Sequence, residues 1–135
     1  MCHNLTILAR DDAAHTIAQC EHGTIHVFWV RAAIFLHPDD LLPLLALLQC
    51  WRPNHDLAES HGFTIVRQKD GQLQLWCNQA GLRVSEAELY GLAQLLWRAA
   101  GRLNLLTGER LPPTHQGFGM YRRLTSVPER SECRN

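Results

Sequence analysis

The chain has 135 residues, which suffices for one domain with a substantial core, and 46% of them are apolar. Thirteen Lys and Arg residues balance thirteen Asp and Glu residues, so the formal net charge is zero. This balance argues against nucleic-acid binding by the whole chain, because neutralising phosphates normally requires a basic surplus.

The sequence carries no sign of membrane insertion or export. Asp39, Asp40 and Pro43 interrupt the richest apolar run, which stays below the roughly 18 residues of a membrane span. The first residues, MCHNLTILARDD, lack the basic and long apolar regions of a signal peptide, so we expect a cytoplasmic protein. Five cysteines, an odd number, then indicate free thiols or metal ligands rather than a disulfide framework.

The first predicted element is a strand, NLTILAR (4–10), which turns at DDAA. An internal repeat follows, because residues 15–49 align without gaps on residues 63–97. Each copy predicts a short strand, a Gly turn, an alternating strand, a tight turn, a third strand and a leucine-rich helix. The first helix begins near Pro38-Asp39-Asp40, and the second begins with a capping box from Ser85 to Glu88.

These elements predict an α+β fold made of two tandem βββα units, each an antiparallel sheet with one helix. We expect the units to pair about a pseudo-twofold axis as one domain over residues 1–101, with the N-terminal strand as an addition. The polar segment 51–62 is expected to loop. Residues 102–135 are predicted to be an irregular Arg-rich extension, packed on the domain or trailing from it.

A group of Cys and His residues gathers at the start of the first unit. If strands 4–10 and 15–20 form a hairpin, paired positions sum to about 25, so that His3 faces His22 and Leu5 faces Cys20. Cys20, His22 and one of Cys2 or His3 then converge, and thiolate with imidazole is the ligand chemistry that zinc prefers. The alternative is that Cys20 is a small buried residue and His22 a solvated turn residue.

A second group of residues lies on the sheet face turned away from the helices. Alternation assigns Ile25, Val27, Trp29, Leu73, Leu75 and Cys77 to the helix-covered core, so that Trp29 should be more buried than Trp76. It places these residues on the other face: His26, Phe28, Phe35, His37, Gln74, Trp76 and Arg83. Aromatic rings mixed with His, Gln and Arg suit stacking on single-stranded nucleic acid. The alternative is a second packed layer, formed by the C-terminal extension, by a protein partner or by another subunit of a homo-oligomer.

Two resemblances follow from these patterns. The duplicated units of strands followed by one helix, over residues 4–101, resemble the PUR-repeat architecture, whose members bind single-stranded nucleic acid; the basic sheet of that family is missing. The opening MCHN with CEHGTIHVFW also resembles a family of small uncharacterised bacterial proteins, which implies a bacterial origin and no established activity.

The motifs of common enzyme classes do not occur in the sequence. It contains no Gly-rich phosphate loop, nucleophile elbow or H-E-x-x-H motif, so we expect a non-enzymatic protein. Three classes remain open: a small binding protein stabilised by zinc, a PUR-like single-strand binder and an oligomeric interaction module.

Overall fold

The computed structural model describes residues 2–60 and 62–103, and it contains two four-stranded antiparallel sheets, each followed by a helix. The strand order is sequential in both sheets. The elements are β1 (Leu5–Asp12), β2 (His15–Cys20), β3 (Ile25–Trp29), β4 (Ala32–Leu36), α1 (Leu41–Cys50), β5 (Leu57–Ser60), β6 (Phe63–Arg67), β7 (Leu73–Cys77), β8 (Ala80–Val84) and α2 (Glu86–Arg102). A single 3-10 turn, Pro38–Asp40, precedes α1.

The predicted tandem α+β fold is confirmed, with one correction to the linker. Segment 51–62 was expected to loop, but it contains β5, which pairs with β6. β5 occupies the place that β1 occupies in the first sheet, so each unit has four strands (β1–β4 with α1, and β5–β8 with α2). The predicted N-terminal strand is therefore part of the repeat.

The alternation of the middle strands sets which side of each sheet is buried. The positions predicted to face the helices are all buried: Ile25, Val27, Trp29, Leu73, Leu75 and Cys77. Trp29 is 4% exposed, whereas Trp76, on the opposite parity of the equivalent strand, is 42% exposed. The predicted difference between these two tryptophans is confirmed.

The two units exchange their helices. Helix α2 lies against β1 and β2 of the first sheet, while α1 lies against β5 and β6 of the second sheet. The two helices also contact each other, and the buried side chains of both units form a single hydrophobic core. The continuous run LLPLLALLQC of α1 suits this position, because a helix enclosed on several sides is apolar nearly all round.

Polar contacts between the units reinforce the exchange. Trp29 Nε1 in β3 donates to Glu88 Oε2 in α2 at 3.2 Å. Arg98, nearly three turns further along α2, places its guanidinium nitrogen 2.6 Å from the carboxylate of Asp11 in β1. The Glu88 carboxylate also accepts the Ser85 N–H, which completes the predicted capping box of α2. One side chain thus both caps α2 and joins it to the first sheet.

The structure also bears on the cysteines and on the C-terminal extension. Cys2, Cys20 and Cys77 carry free thiols, but Cys50 is disulfide-bonded, so the expectation of free thiols or metal ligands is wrong at Cys50. Among the described residues, no helix is both long enough and apolar enough to cross a bilayer. The prediction for the extension falls, from residue 104 onward, outside the described part of the chain.

Candidate metal centre

The β1–β2 hairpin brings the N-terminal segment over the end of β2. The predicted register is confirmed at this end, where Leu5 pairs with Cys20 and Ile7 with Ala18. Beyond Ile7 a bulge shifts the pairing, so that Ala9 faces Ile17. Residues 2–4 precede β1, and this register carries them past Cys20 towards the β2–β3 turn.

The β2–β3 turn of the first unit and the β6–β7 turn of the second unit have the same backbone geometry, although their side chains differ. Gly23 and Gly71 both have φ of +86°, a conformation that favours glycine. Gly23 N donates to Cys20 O at 3.0 Å, and Gly71 N donates to Gln68 O at the same distance. The same backbone therefore carries Cys20 and His22 in the first unit, and Gln68 and Asp70 at the matching positions of the second unit.

Cysteine and histidine side chains converge at this turn. Cys2 Sγ lies 3.7 Å from His22 Nδ1 and 3.5 Å from His26 Nε2, and Cys20 Sγ lies 4.0 Å from His22 Nδ1. Ligand atoms of Cys2, Cys20, Glu21 and His22 all lie within 4.8 Å of one another. This group could hold a metal ion.

The spacing of these atoms suits tetrahedral coordination. Bonds of about 2.3 Å to sulfur and about 2.0–2.1 Å to nitrogen, at tetrahedral angles, place sulfur and nitrogen ligands about 3.5–3.6 Å apart. Two of the three sulfur–nitrogen distances, 3.5 and 3.7 Å, are close to this value. A slight rotation of the exposed His22 ring would shorten the third.

His26 contacts this cluster through Cys2, although alternation places His26 on the uncovered sheet face. It lies on the predicted face, but it is only 7% exposed, because its ring packs between Cys2 and two aromatic side chains. The Phe35 ring meets it edge-on at 4.9 Å, and the Phe28 ring stacks at 6.0 Å. These contacts fix the orientation of the imidazole towards the thiols.

Glu21 holds the N-terminal segment in place. Its carboxylate accepts hydrogen bonds from the His3 N–H at 2.9 Å and from the Asn4 N–H at 2.6 Å. The first of these bonds is the main reason why the pKa of Glu21 is lowered. Of the two N-terminal candidates, Cys2 thus joins the cluster through its thiol, whereas His3 contributes its main-chain N–H to the bond with Glu21. Sequence reasoning missed Glu21, because a side-chain bond to a distant main chain leaves no periodic signal.

The two thiols share a hydrogen bond that separates their acidities. This bond lowers the pKa of Cys20 to about 5 and raises the pKa of Cys2. A second bond, to His26, favours the Cys20 thiolate further. The cluster therefore offers one thiolate and one thiol at neutral pH, and thiolate is the form that binds metals.

The other residues of the predicted open face are spread over both sheets. Phe35 is 62% exposed, whereas Phe28 and Gln74 are partly buried. The His37 ring accepts from Asp39 N–H and caps the 3-10 turn. Arg83 forms an ion pair with Asp70, and the exposed Trp76 ring lies over Gly81. The nucleic-acid interface stays a prediction.

Comparison with family models, with curated proteins and with solved structures finds no significant match to this chain.

Proposed function

We propose that this protein binds a zinc ion through Cys2, Cys20, His22 and His26. The observation that supports the proposal is that two of the three sulfur–nitrogen distances, 3.5 and 3.7 Å, lie near the edge lengths of a tetrahedral zinc site. The donor set points the same way, since two cysteines with two histidines suit zinc better than calcium or magnesium, which prefer oxygen ligands. In this proposal Glu21 positions Cys2 through the N-terminal main chain.

The proposed ion has a structural role. Four protein ligands complete a tetrahedral shell and leave no position for substrate or water, which is typical of structural rather than catalytic zinc. The ion would join residues from three places: the N-terminal segment, the end of β2 with its turn, and β3. It would thereby hold the N-terminal segment to the first sheet, in addition to the two N–H bonds that this segment donates to the Glu21 carboxylate.

Zinc content per chain tests this function. We expect about one zinc per chain in protein purified without a His-tag, and loss of the bound zinc in Cys20→Ser. Cys77→Ser is the matched control, because Cys77 is a free but buried cysteine of the second sheet. Metal-free native protein that also fails to take up added zinc, or a Cys20→Ser variant that keeps its zinc, would contradict the proposal.

A second candidate role is self-association through the open face of the first sheet. One row across this sheet consists of Ile7, Ala18, His26 and Phe35 in successive pairings. Ile7, Phe35 and the nearby Leu5 are exposed, and apolar sheet faces are commonly covered by stacking on another sheet. The proposed occupant is the same face of a second copy.

Sedimentation velocity over a range of concentrations tests this second role. We expect a dimer whose dissociation constant rises about tenfold in Phe35→Ser, as is typical of a central aromatic anchor. Trp76→Ser, which removes an exposed ring from the second sheet, should leave the dimer unchanged. A wild-type chain that stays monomeric throughout the range contradicts self-association.

A further inference from the structure

The metal cluster contains two free thiols that face each other. Cys2 and Cys20 are both unbridged, and their sulfurs belong to a group of ligand atoms that all lie within 4.8 Å. A disulfide needs a sulfur–sulfur distance of about 2.03–2.05 Å, so a short movement closes the gap. Cys2 precedes β1 and lies outside any strand, which leaves it free to make this movement without breaking sheet hydrogen bonds.

The pairing of the thiols does not depend on a bound ion. Glu21 accepts the N–H groups of His3 and Asn4, the two residues that follow Cys2. These two bonds to the Glu21 carboxylate hold Cys2 over the end of β2. The two sulfurs therefore stay close together in the metal-free protein as well.

The two thiols differ in their access to solvent. Cys2 is partly exposed and Cys20 is buried beneath it. A small oxidant such as hydrogen peroxide meets Cys2 first and converts its thiol to a sulfenic acid, with loss of water. Cys20 then attacks the sulfenic sulfur, a second water leaves, and the sulfur–sulfur bond forms. In sum, two thiols and one peroxide give one disulfide and two waters, and a bound Zn²⁺ keeps its charge.

We propose that Cys2 and Cys20 are a peroxide-oxidisable dithiol, and that closing it into a disulfide abolishes the metal site by removing both sulfur ligands. The loss of the site rests on the proposed function, whereas the formation of the disulfide does not. Oxidation would replace the zinc-mediated link between the N-terminal segment and β2 with a disulfide. The N-terminal segment would therefore stay attached to β2 while the ion is released.

Peptide mapping reads the disulfide directly. Trypsin separates the two cysteines, because cleavage after Arg10 and Arg31 places Cys2 in peptide 1–10 and Cys20 in peptide 11–31. After treatment with equimolar hydrogen peroxide, mass spectrometry should find these two peptides linked, in zinc-loaded and in metal-free protein. Cys77, in peptide 70–83, is the internal control, since burial raises its pKa to about 12 and it should stay reduced.

A chromogenic zinc chelator follows the metal in the same samples. We expect one zinc released for each disulfide formed, no linked peptides in Cys2→Ser, and unchanged behaviour in Cys77→Ser. Sulfinic acid at Cys2 without a link to Cys20, or a linked protein that keeps its zinc, would overturn the inference. Protein that never binds zinc contradicts the proposed function alone, because the linked peptides of the metal-free sample still decide whether the dithiol exists.

Discussion

Trp29 in the first sheet donates its indole N–H to the carboxylate of Glu88 in the second helix, at 3.2 Å. The two residues belong to different units of the repeat, and Trp29 is almost fully buried. Gly91, one turn along α2, lies under the same indole ring, where an added Cβ would meet it at 3.7 Å. Trp29 of the first unit thus contacts two residues of the helix that belongs to the second unit.

A double-mutant cycle measures this link between the units. Glu88→Ala should lower the free energy of unfolding by about 1–3 kcal/mol, because it leaves the buried Trp29 N–H without its acceptor and removes the Glu88 half of the α2 capping box. In combination with Trp29→Phe, the coupling energy should be about 0.5–1.5 kcal/mol. The control cycle uses Glu86→Ala, since Glu86 pairs with Arg67, and should be additive. Equal coupling in both cycles would show that the Trp29–Glu88 bond contributes nothing specific.

The tight turn of the first unit contains a residue poorly suited to its backbone. Val30 has φ of +57°, and its repeat counterpart Asn78 has φ of +60°. Asn tolerates this left-handed conformation, whereas a β-branched side chain is strained there. Val30 is 57% exposed, so replacing it removes little packing. We expect Val30→Asn to stabilise the protein by about 1 kcal/mol, and Asn78→Val to destabilise it by about as much. Urea midpoints that move in the same direction for both variants would contradict this explanation.

The helix leucines at matching repeat positions should both be important for stability. Leu44 and Leu92 are buried and line the same small internal cavity together with Val27 and Leu75. Truncation of either leucine to Ala should cost about 2–5 kcal/mol, and the double variant should deviate from additivity because the two sites share a space. Leu57→Ala, at an exposed position of β5, is the control. Urea denaturation that shifts no more for Leu44→Ala than for the control would be evidence against the shared core.

Much of the fold follows from the periodicity of the sequence, but the helix exchange does not. Alternation identified the buried positions of β3 and β7, and the leucine spacing identified the buried faces of both helices. A hydrophobic pattern indicates that a helix face is buried, but it does not indicate which sheet covers that face. The strand β5 was missed because LAES is short and half polar, and because Asp11 adds one residue to the first hairpin that the second lacks.

The Cys/His cluster could be predicted only as far as the pairing of β1 with β2 extends. The pairing of Leu5 with Cys20 correctly placed the N-terminus near Cys20 and His22. The segment before β1 leaves the strand, so its side chains no longer obey the register, and Cys2 rather than His3 enters the cluster. The burial of His26 depends on Phe35 and Cys2 folding over it, which alternation within one strand cannot reveal.

Glu21 should act on zinc affinity through position rather than as a ligand. In Glu21→Gln the amide keeps one acceptor oxygen but loses the other, so one of the two bonds to the N-terminal main chain is lost. We expect zinc affinity to fall at least about tenfold, as for other residues that orient a ligand, with binding still saturating at one ion. Competition with a chromogenic chelator measures this change. Asp56→Asn, an equal change of charge in the second unit, should leave the affinity unaltered.

Cobalt(II) substitution separates the two roles of Glu21. The visible spectrum of the cobalt-loaded Glu21→Gln variant should match that of the wild type, because the ligand set is unchanged. A shift of the ligand-field bands would show that the Glu21 carboxylate is a ligand.

X-ray absorption at the zinc edge of the loaded protein tests the proposed site most directly. The expected first shell has two sulfur atoms at about 2.3 Å and two nitrogen atoms at about 2.0–2.1 Å. His26→Ala should replace one imidazole by a lighter ligand and reduce the multiple-scattering signal from the rings, with both sulfurs retained. A shell without sulfur, or a His26→Ala spectrum identical to that of the wild type, would contradict a site formed by Cys2, Cys20, His22 and His26.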